Sequence, residues 1–403
     1  MYGIDKKIQF HHHVNGAAWS SSSKTWTMDI TANGTEQKTI RSRFFMFCTG
    51  YYDYDKPLDS VIPGIESFKG TVAHPQFWPE DLDYTDKNVV VVGSGATAIT
   101  IMPAMADKAA HITMLQRSPS YIMSQPSQDA LEILIRKLTW WNKSLEHKLI
   151  RYKWVMIPFL LTRFCRYFPA TAKKFVSKAM HAQLPPTLAR DPHFNPTYNP
   201  FEQRLCLCPD GDFYAALRSG KSSVETGIIE TVTPDAIKLT SGKELHPDII
   251  ITATGLKLRF AGGMKVTVDG QPFAVPEKFI WKGIMLEDLP NAAFVFGYVD
   301  ASWTLGADAT AQLVCRMLRQ MAKEGVTEIV PRRSDKEKEF GLQEEPLLRL
   351  TSTYVSRAKD IMPKAGATGQ WRPRSYYLQD IWTAWYGGKS ALPPLYSCAF
   401  LRH

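Results

Sequence analysis

Hydrophobic and polar positions follow different rhythms in different parts of the chain. Residues 87–118, "KNVVVVGSGATAITIMPAMADKAAHITMLQRS", run from an unbroken apolar stretch through a Gly-rich turn into small and apolar residues, then into a second apolar stretch. An apolar run without alternation reads as a strand buried on both faces, so this segment predicts a βαβ unit. Residues 1–55 read as short strands, "KIQFHHHV", "TWTMDI" and "TIRSRFFMFCTG", with turn signals at Asn15-Gly16 and Asn33-Gly34. The chain thus opens inside a sheet. Residues 125–190 look helical, "ALEILIRKLTWWNKSLEHKLIRYKW" mixing apolar and basic faces, and residues 222–255 read as a β-meander that returns to a buried strand. A strand "AAFVFGYV" and a helix through "ADATAQLVCRMLRQM" follow at 290–325.

Composition narrows the class. Of 403 residues, 44% are apolar, 12% aromatic and 22% charged, an ordinary folded composition long enough for two or three domains. The net charge of +9 suits an anionic ligand or an acidic membrane face. The densest basic stretch, Arg136 to Lys174, alternates with apolar residues and reads as a solvated face, a lid or a membrane-facing patch, with peripheral membrane association as the further option. No nucleic-acid motif appears, and nucleic acid is not an expected partner. Six cysteines form no disulfide framework, which points to a reducing, cytoplasmic setting. Cys206 and Cys208 would share one strand face and pack in a core, His11 to His13 lack ligating partners, and no metal site is expected. "WVMIPFLL" is too short to span a bilayer, and proline interrupts it.

The chemistry concentrates in the Gly-rich turn. Gly93, Gly95 and Ala98 form G-x-G-x-x-A between a strand and a helix, with Ser94, Ala96 and Thr97 completing the turn. The first glycine permits the tight turn, the second lets backbone approach a pyrophosphate, and the small third residue allows close helix packing. This is a Rossmann-like dinucleotide site. An acidic residue after the second strand would hold a ribose 2′-hydroxyl, but Gln116-Arg117-Ser118 stands there. Arg117 can fork onto a 2′-phosphate and Ser118 can add a hydroxyl, so the expected cofactor is NADP(H) rather than NAD.

Thr49-Gly50 and Thr254-Gly255 each follow a buried strand, and as a pair bracketing the nucleotide domain they suggest two crossings between domains. The expected α/β architecture places the nucleotide-binding domain at 84–245, with the helical insert at about 125–200 inside it. Residues 1–83 and 246–403 form a second, discontinuous domain.

"FKGTVAHPQFWP" resembles the F-x-G-x-x-x-H-x-x-x-W-P fingerprint of Baeyer–Villiger monooxygenases, within the wider class of flavin-containing monooxygenases, through Phe68, Gly70, His74, Trp78 and Pro79. "HPQFWPEDLDY", "GSGATA", "MLQRSPSYI", "RLCLCPDGD", "DIIITATGL" and "DASWTL" extend the likeness to FAD-containing monooxygenases of this class over most of the chain. The resemblance implies a flavoprotein with two dinucleotide-binding domains, the NADP domain inserted in the FAD domain. It implies that NADPH reduces FAD, that oxygen adds at flavin C4a, and that the resulting peroxide converts a ketone to an ester or lactone or oxidises sulfur. The implied partners are therefore O2 and a small ketone or sulfur-containing substrate. By the same resemblance Arg204 is the active-site arginine, Gln203 a nucleotide contact, His74 a coupling residue on a linker, and Trp303 a pocket or core aromatic.

The family's own FAD fingerprint, G-x-G-x-x-G on a first strand, does not occur in these 403 residues. A flavin domain without it is expected to carry an exposed sheet edge and an apolar gap. Two readings follow: an NADPH- and FAD-dependent monooxygenase, or a non-catalytic NADP(H)-binding remnant or interaction module.

Overall fold

The computed structural model describes residues 2–58, 61–203, 205–299, 301–348, 353–374 and 376–387. The chain forms two compact units, a central one built on Tyr54–Lys257 and a flanking one built on the segments either side of it. The flanking unit opens with β1 (His12–Ser20), β2 (Thr25–Ala32) and β3 (Glu36–Ser42), an antiparallel meander, followed by β4 (Phe45–Phe47). Alternation sets the faces: Trp26, Met28, Ile30 and Ala32 of β2 are buried, as are Ala17 and Trp19 of β1. Asn33-Gly34 forms a turn with both residues at positive φ, as expected. Asn15-Gly16 does not. It lies inside β1, where the register with β2 shifts between Val14 and Gly16, and Gly16 lets the Lys265 carbonyl oxygen come within 3.3 Å of where a Cβ would sit.

The central unit is a parallel sheet wrapped on both faces. Along the chain come β5 (Thr71–Ala73), β6 (Asn88–Val92), α1 (Ala96–Ala106), β7 (His111–Gln116) and β8 (Ile122–Gln125). The insert holds α2 (Ala130–Leu138), α3 (Lys143–Tyr167) and α4 (Pro169–His181). After it stand β9 (Cys206–Pro209), α5 (Asp212–Arg218), β10 (Ser222–Thr226), the meander β11 to β13 (Ile229–Val232, Ile237–Leu239, Glu244–Leu245) and β14 (Ile249–Thr252). The main sheet runs β10-β7-β6-β14-β5, every pair parallel. Val89 and Val91 face α1 and α5, packing on Ile99, Met102 and Phe213, while Val90 and Val92 face the meander at Ile237 and Leu239. Burial on both faces is why "NVVVV" shows no alternation. Cys206 and Cys208 share the buried face of β9, and no cluster fit to hold a metal occurs among the described residues.

The units divide at 53/54 and 257/258, whereas the sequence placed the borders at 83/84 and 245/246. Hydrogen bonding accounts for the difference, because β5 and β14 are both strands of the central sheet, paired to each other from Ile249↔Thr71 to Ile251↔Ala73.

The chain then returns to the flanking unit through β15 (Lys265–Val268) and β16 (Gln271–Pro272), and β15 pairs parallel with β1. A short hairpin, β17 (Ile280–Trp281) and β18 (Met285–Leu286), precedes β19 (Ala292–Phe294), which pairs parallel with β4 and stacks Phe294 on Phe47 at 4.3 Å. α6 (Trp303–Glu324) then covers a core of Leu313, Val314 and Met317 against Trp281, Met285 and Trp371. Among the described residues, β4 and β19 form a sheet of two strands only.

Candidate dinucleotide-binding site

In a parallel sheet ligands gather beyond the carboxyl ends of the strands, where loops converge and helix N-termini point outward. The predicted nucleotide residues of the glycine turn, of the Arg117-Ser118 loop and of Thr254-Gly255 stand there with His74, whereas Phe68 and Gly70 precede β5 at the opposite ends of the strands. β6 ends in Gly93-Ser94-Gly95, β7 in Arg117-Ser118, β14 in Ala253-Thr254-Gly255 and β5 in His74, and the sheet order makes these neighbouring exits.

The two glycines of the turn do different work. Gly93 has φ +139°, and a Cβ on it would lie 2.2 Å from the Ala253 carbonyl oxygen, so the crossing of β6 over the β14 exit admits no side chain. Gly95 is the extended N-cap of α1, and a Cβ there would meet nothing within 4 Å. Its missing side chain leaves open space in front of the helix, where the first-turn N–H groups of Ala96 and Thr97 lack intrahelical acceptors and the helix dipole favours an anion. Ala98 is fully buried, so α1 sits close on the sheet. These features fit a pyrophosphate cradle.

The adjoining exit is tied to this turn. Ser94 Oγ donates to the Ser118 carbonyl at 3.1 Å and lies 3.0 Å from Ser120 Oγ, fixing the Gly-rich turn to the loop that presents Arg117 and Ser118, both exposed. Gln116 is structural instead, buried, its Nε2 donating to the His193 carbonyl at 2.7 Å and to Thr226 Oγ1 at 2.9 Å. No acidic side chain follows β7 until well past this loop.

The fingerprint residues belong to the central unit. Gly70 is required by contact, since a Cβ would lie 2.4 Å from the Asp248 carbonyl oxygen and 2.6 Å from the Phe68 ring. Trp78 packs on the core under α1, and Pro79 follows it. His74 caps the turn Pro75–Phe77, with Nδ1 accepting from the Gln76 N–H at 3.1 Å. That bond places the ring proton on Nε2, which is buried without a partner among the described residues, and burial pushes the imidazole pKa below its ordinary value. His74 is thus a neutral ring with one unanswered donor at the carboxyl edge.

Gln203 bridges to Pro200, and Arg204 lies outside the described residues. In the flanking unit Gly50 has φ +68°, and Thr49 packs against Gly262, where a Cβ would come within 3.2 Å of the Thr49 methyl. Trp303 opens α6, meets Tyr51 edge-on at 5.0 Å and covers Gly297 so closely that a Cβ there would lie 2.4 Å from its ring. Near it stands a cluster that the sequence did not disclose. Arg374 donates through Nη1 to the carbonyls of Phe296 at 2.9 Å and Gly306 at 2.6 Å and through Nη2 to Thr310 Oγ1 at 2.7 Å, while Tyr298 donates to Asp380 at 2.6 Å. Burial raises the Asp380 pKa, against the pull of Arg374.

Comparison with known proteins completes the picture. A family profile described as flavin-binding monooxygenase-like matches residues 1–265. The chain belongs to that family. FAD-containing monooxygenase EthA of Mycobacterium tuberculosis (strain H37Rv) is 43% identical over 382 residues, covering 94% of this chain and 77% of EthA. Probable FAD-binding monooxygenase AlmA of Acinetobacter baylyi is 42% identical over 381 residues, covering 94% and 75%. Among solved structures, OTEMO in complex with FAD and NADP (form 3) superposes with TM-score 0.63 at 19% identity, over 83% of this chain and 72% of that one. Cyclohexanone monooxygenase in an open form gives 0.62 at 16%, over 82% and 71%. At such identity these two speak for the fold, an α/β flavoprotein architecture of two domains.

The described residues fit the pyrophosphate of a nicotinamide nucleotide, by the open space at Gly95 and the uncapped start of α1. For FAD they fit less well. The flanking unit shows no second Gly-rich turn from strand to helix among its described residues.

Proposed function

We propose that this member of the flavin-binding monooxygenase-like family is an NADPH- and FAD-dependent monooxygenase that inserts one oxygen atom from O2 into a ketone, giving an ester or lactone, or adds it to a sulfur centre. The observation that carries the nucleotide part is the joined pair of exits, with Gly93-Ser94-Gly95 opening α1 and Arg117-Ser118 tied to it through Ser94. The oxygen chemistry rests on family membership and on relatives named as FAD-containing monooxygenases.

The roles of the chain's own residues follow from their chemistry. The Ala96 and Thr97 N–H groups receive the pyrophosphate, and Arg117 with Ser118 receives the 2′-phosphate that distinguishes NADPH from NADH. His74, with its proton on Nε2, offers a neutral donor at the same edge. Arg204, assigned from its motif, supplies a permanent cation where negative charge develops on oxygen. A bound flavin would supply hydride acceptance from NADPH and activation of O2, and the turn that would hold its pyrophosphate is not among the described residues.

The test is an absorbance spectrum of the purified chain incubated with FAD, followed by anaerobic NADPH. Retained flavin that NADPH bleaches, and oxygenation of ketones or thioethers once air is admitted, supports the monooxygenase. NADPH binding without retained flavin leaves the second reading, an NADP(H)-binding module.

A further inference from the structure

Within the helical insert α4 buries Ala172, Val176 and Met180 in the usual way, but α2 and α3 leave much of their apolar surface outside, although α3 also buries Val155 and Cys165. α3 turns ionic side chains inward: Glu146, 1% exposed, is held by Arg136 at 2.9 Å and Lys143 at 2.8 Å, and Lys153, 7% exposed, pairs with Asp129 at 2.5 Å. Leu145, Leu149, Tyr152 and Leu160 recur at helical spacing on another face of α3, and all are exposed. α2 buries no residue. Between the two helices Trp140 and Trp141 stand 73% and 65% exposed, set edge to face at 6.4 Å. A helix that pairs its charges inward and shows leucine and tyrosine outward has its apolar environment on the outside.

Charge identifies that environment. Residues 130–181 carry eleven Lys and Arg against two Glu, an excess equal to the +9 of the entire chain, so all other residues together balance to zero. A second copy on this face would bring two such excesses together, which disfavours self-association. Tryptophan, leucine and tyrosine interleaved with lysine and arginine on helices lying along a surface match the boundary between acyl chains and acidic headgroups. No helix of the described residues is long and apolar enough to cross a membrane, so the contact is with one leaflet.

We propose that α2, α3 and the Trp140-Trp141 corner seat this protein peripherally on an anionic lipid surface, with the two tryptophans and the α2 and α3 leucines at the acyl boundary and the lysines and arginines among the headgroups. The inference is independent of the flavin chemistry and stands or falls without it.

The test is co-sedimentation of the purified chain with vesicles of phosphatidylcholine alone and of phosphatidylcholine mixed with phosphatidylglycerol, read together with tryptophan fluorescence. The expected result is binding to the mixed vesicles only, with a blue shift, lost as salt is raised. A lysine near the surface contributes on the order of fivefold to partitioning, so Lys137→Gln with Lys148→Gln is expected to weaken it by about 30-fold at low salt. Trp140→Ser with Trp141→Ser removes the blue shift and weakens binding by at least about tenfold. Both double variants alter exposed side chains, and unchanged melting and NADPH binding exclude misfolding as the cause. Wild-type protein that stays in the supernatant with the mixed vesicles overturns the proposal. So does a dimer, seen by light scattering, that the tryptophan variant dissolves, because then a second copy covers the face.

Discussion

The two glycines of the nucleotide turn separate stability from binding within three residues, and a pair of alanine substitutions tests this. At Gly93 the backbone has φ +139° and a Cβ would overlap the Ala253 carbonyl oxygen at 2.2 Å. Holding an L-residue in that region costs about 1–3 kcal/mol, and forcing a methyl group into a packed backbone crossing costs about 1–3 kcal/mol more. Gly93→Ala is therefore expected to lose roughly 2–6 kcal/mol, which in a unit of this size lowers the melting temperature by about 5–20 °C. Gly95 is extended and faces open space, so Gly95→Ala should melt within about 2 °C of wild type, or slightly above it because alanine narrows the unfolded ensemble. Its methyl group instead stands where the pyrophosphate must approach, with an expected loss of at least about tenfold in NADPH affinity. Differential scanning fluorimetry and fluorescence titration with NADPH read the two quantities separately. Gly93→Ala melting with wild type, or Gly95→Ala binding NADPH as tightly as wild type, would refute the assignment.

Three further outcomes follow from the same geometry. Arg117→Ala should weaken NADPH by roughly ten- to a hundredfold, the worth of a charged hydrogen-bond pair at about 1.5–3 kcal/mol, while leaving NADH nearly unchanged; equal losses for both nucleotides would mean that Arg117 does not read the 2′-phosphate. Arg374→Ala strips cationic donors from the Phe296 and Gly306 carbonyls and the neighbouring cation from Asp380, and is expected to cost about 3–5 kcal/mol in urea unfolding, with Arg374→Lys restoring little because one ammonium cannot span the fork. Lys282 is pushed down from 10.5 to about 8, by burial first and by Arg316 next. Between those values the unfolded chain holds a proton that the folded chain has lost, so wild-type stability rises with pH across that window, and below it the folded state bears the full cost of a buried cation. Lys282→Met should be the more stable form at neutral pH and show a flatter rise toward pH 10.5, and parallel curves for both proteins would contradict the burial of Lys282.

What the sequence disclosed depended on whether the signal was local. The β6-α1-β7 unit was legible because four consecutive valines, a Gly-rich turn and a small-residue helix lie within thirty residues of one another, each constraining the next. Asn15-Gly16 misled for a physical reason: glycine serves turns and close backbone approach equally, and here it serves the approach of Lys265. The unit borders were hidden because β5 is only "TVA", too short to show a period, and its membership in the central sheet is decided by pairing with β14. Arg374 and Asp380 are near each other in the chain, but they meet Tyr298 and the Phe296 carbonyl across 82 and 78 residues, a separation that no local pattern encodes. The outward apolar face of α3 was half visible, since its basic-apolar mixture is in the sequence while the inward ion pairs appear only in three dimensions.

The pairing of β1 with β15 also fixes an order of events during synthesis. Gly16 finds Lys265, and Trp19 finds Val268, across the whole of the central unit. At about 5–20 residues per second the ribosome takes roughly 10–50 s to supply that partner. Through this interval β1 has β2 on one side and an open row of amides and carbonyls on the other, the situation in which strands recruit the wrong neighbour. The central unit also waits, since β5 has no partner until β14 emerges and Ile249 reaches Thr71, but its main sheet is complete by residue 257, before Lys265 is made. Ribosome-bound chains stalled with residue 257 just outside the exit tunnel should therefore resist protease through the nucleotide turn while their first fifty residues are digested, and equal protection of both would show that the flanking strands find shelter before their partner exists.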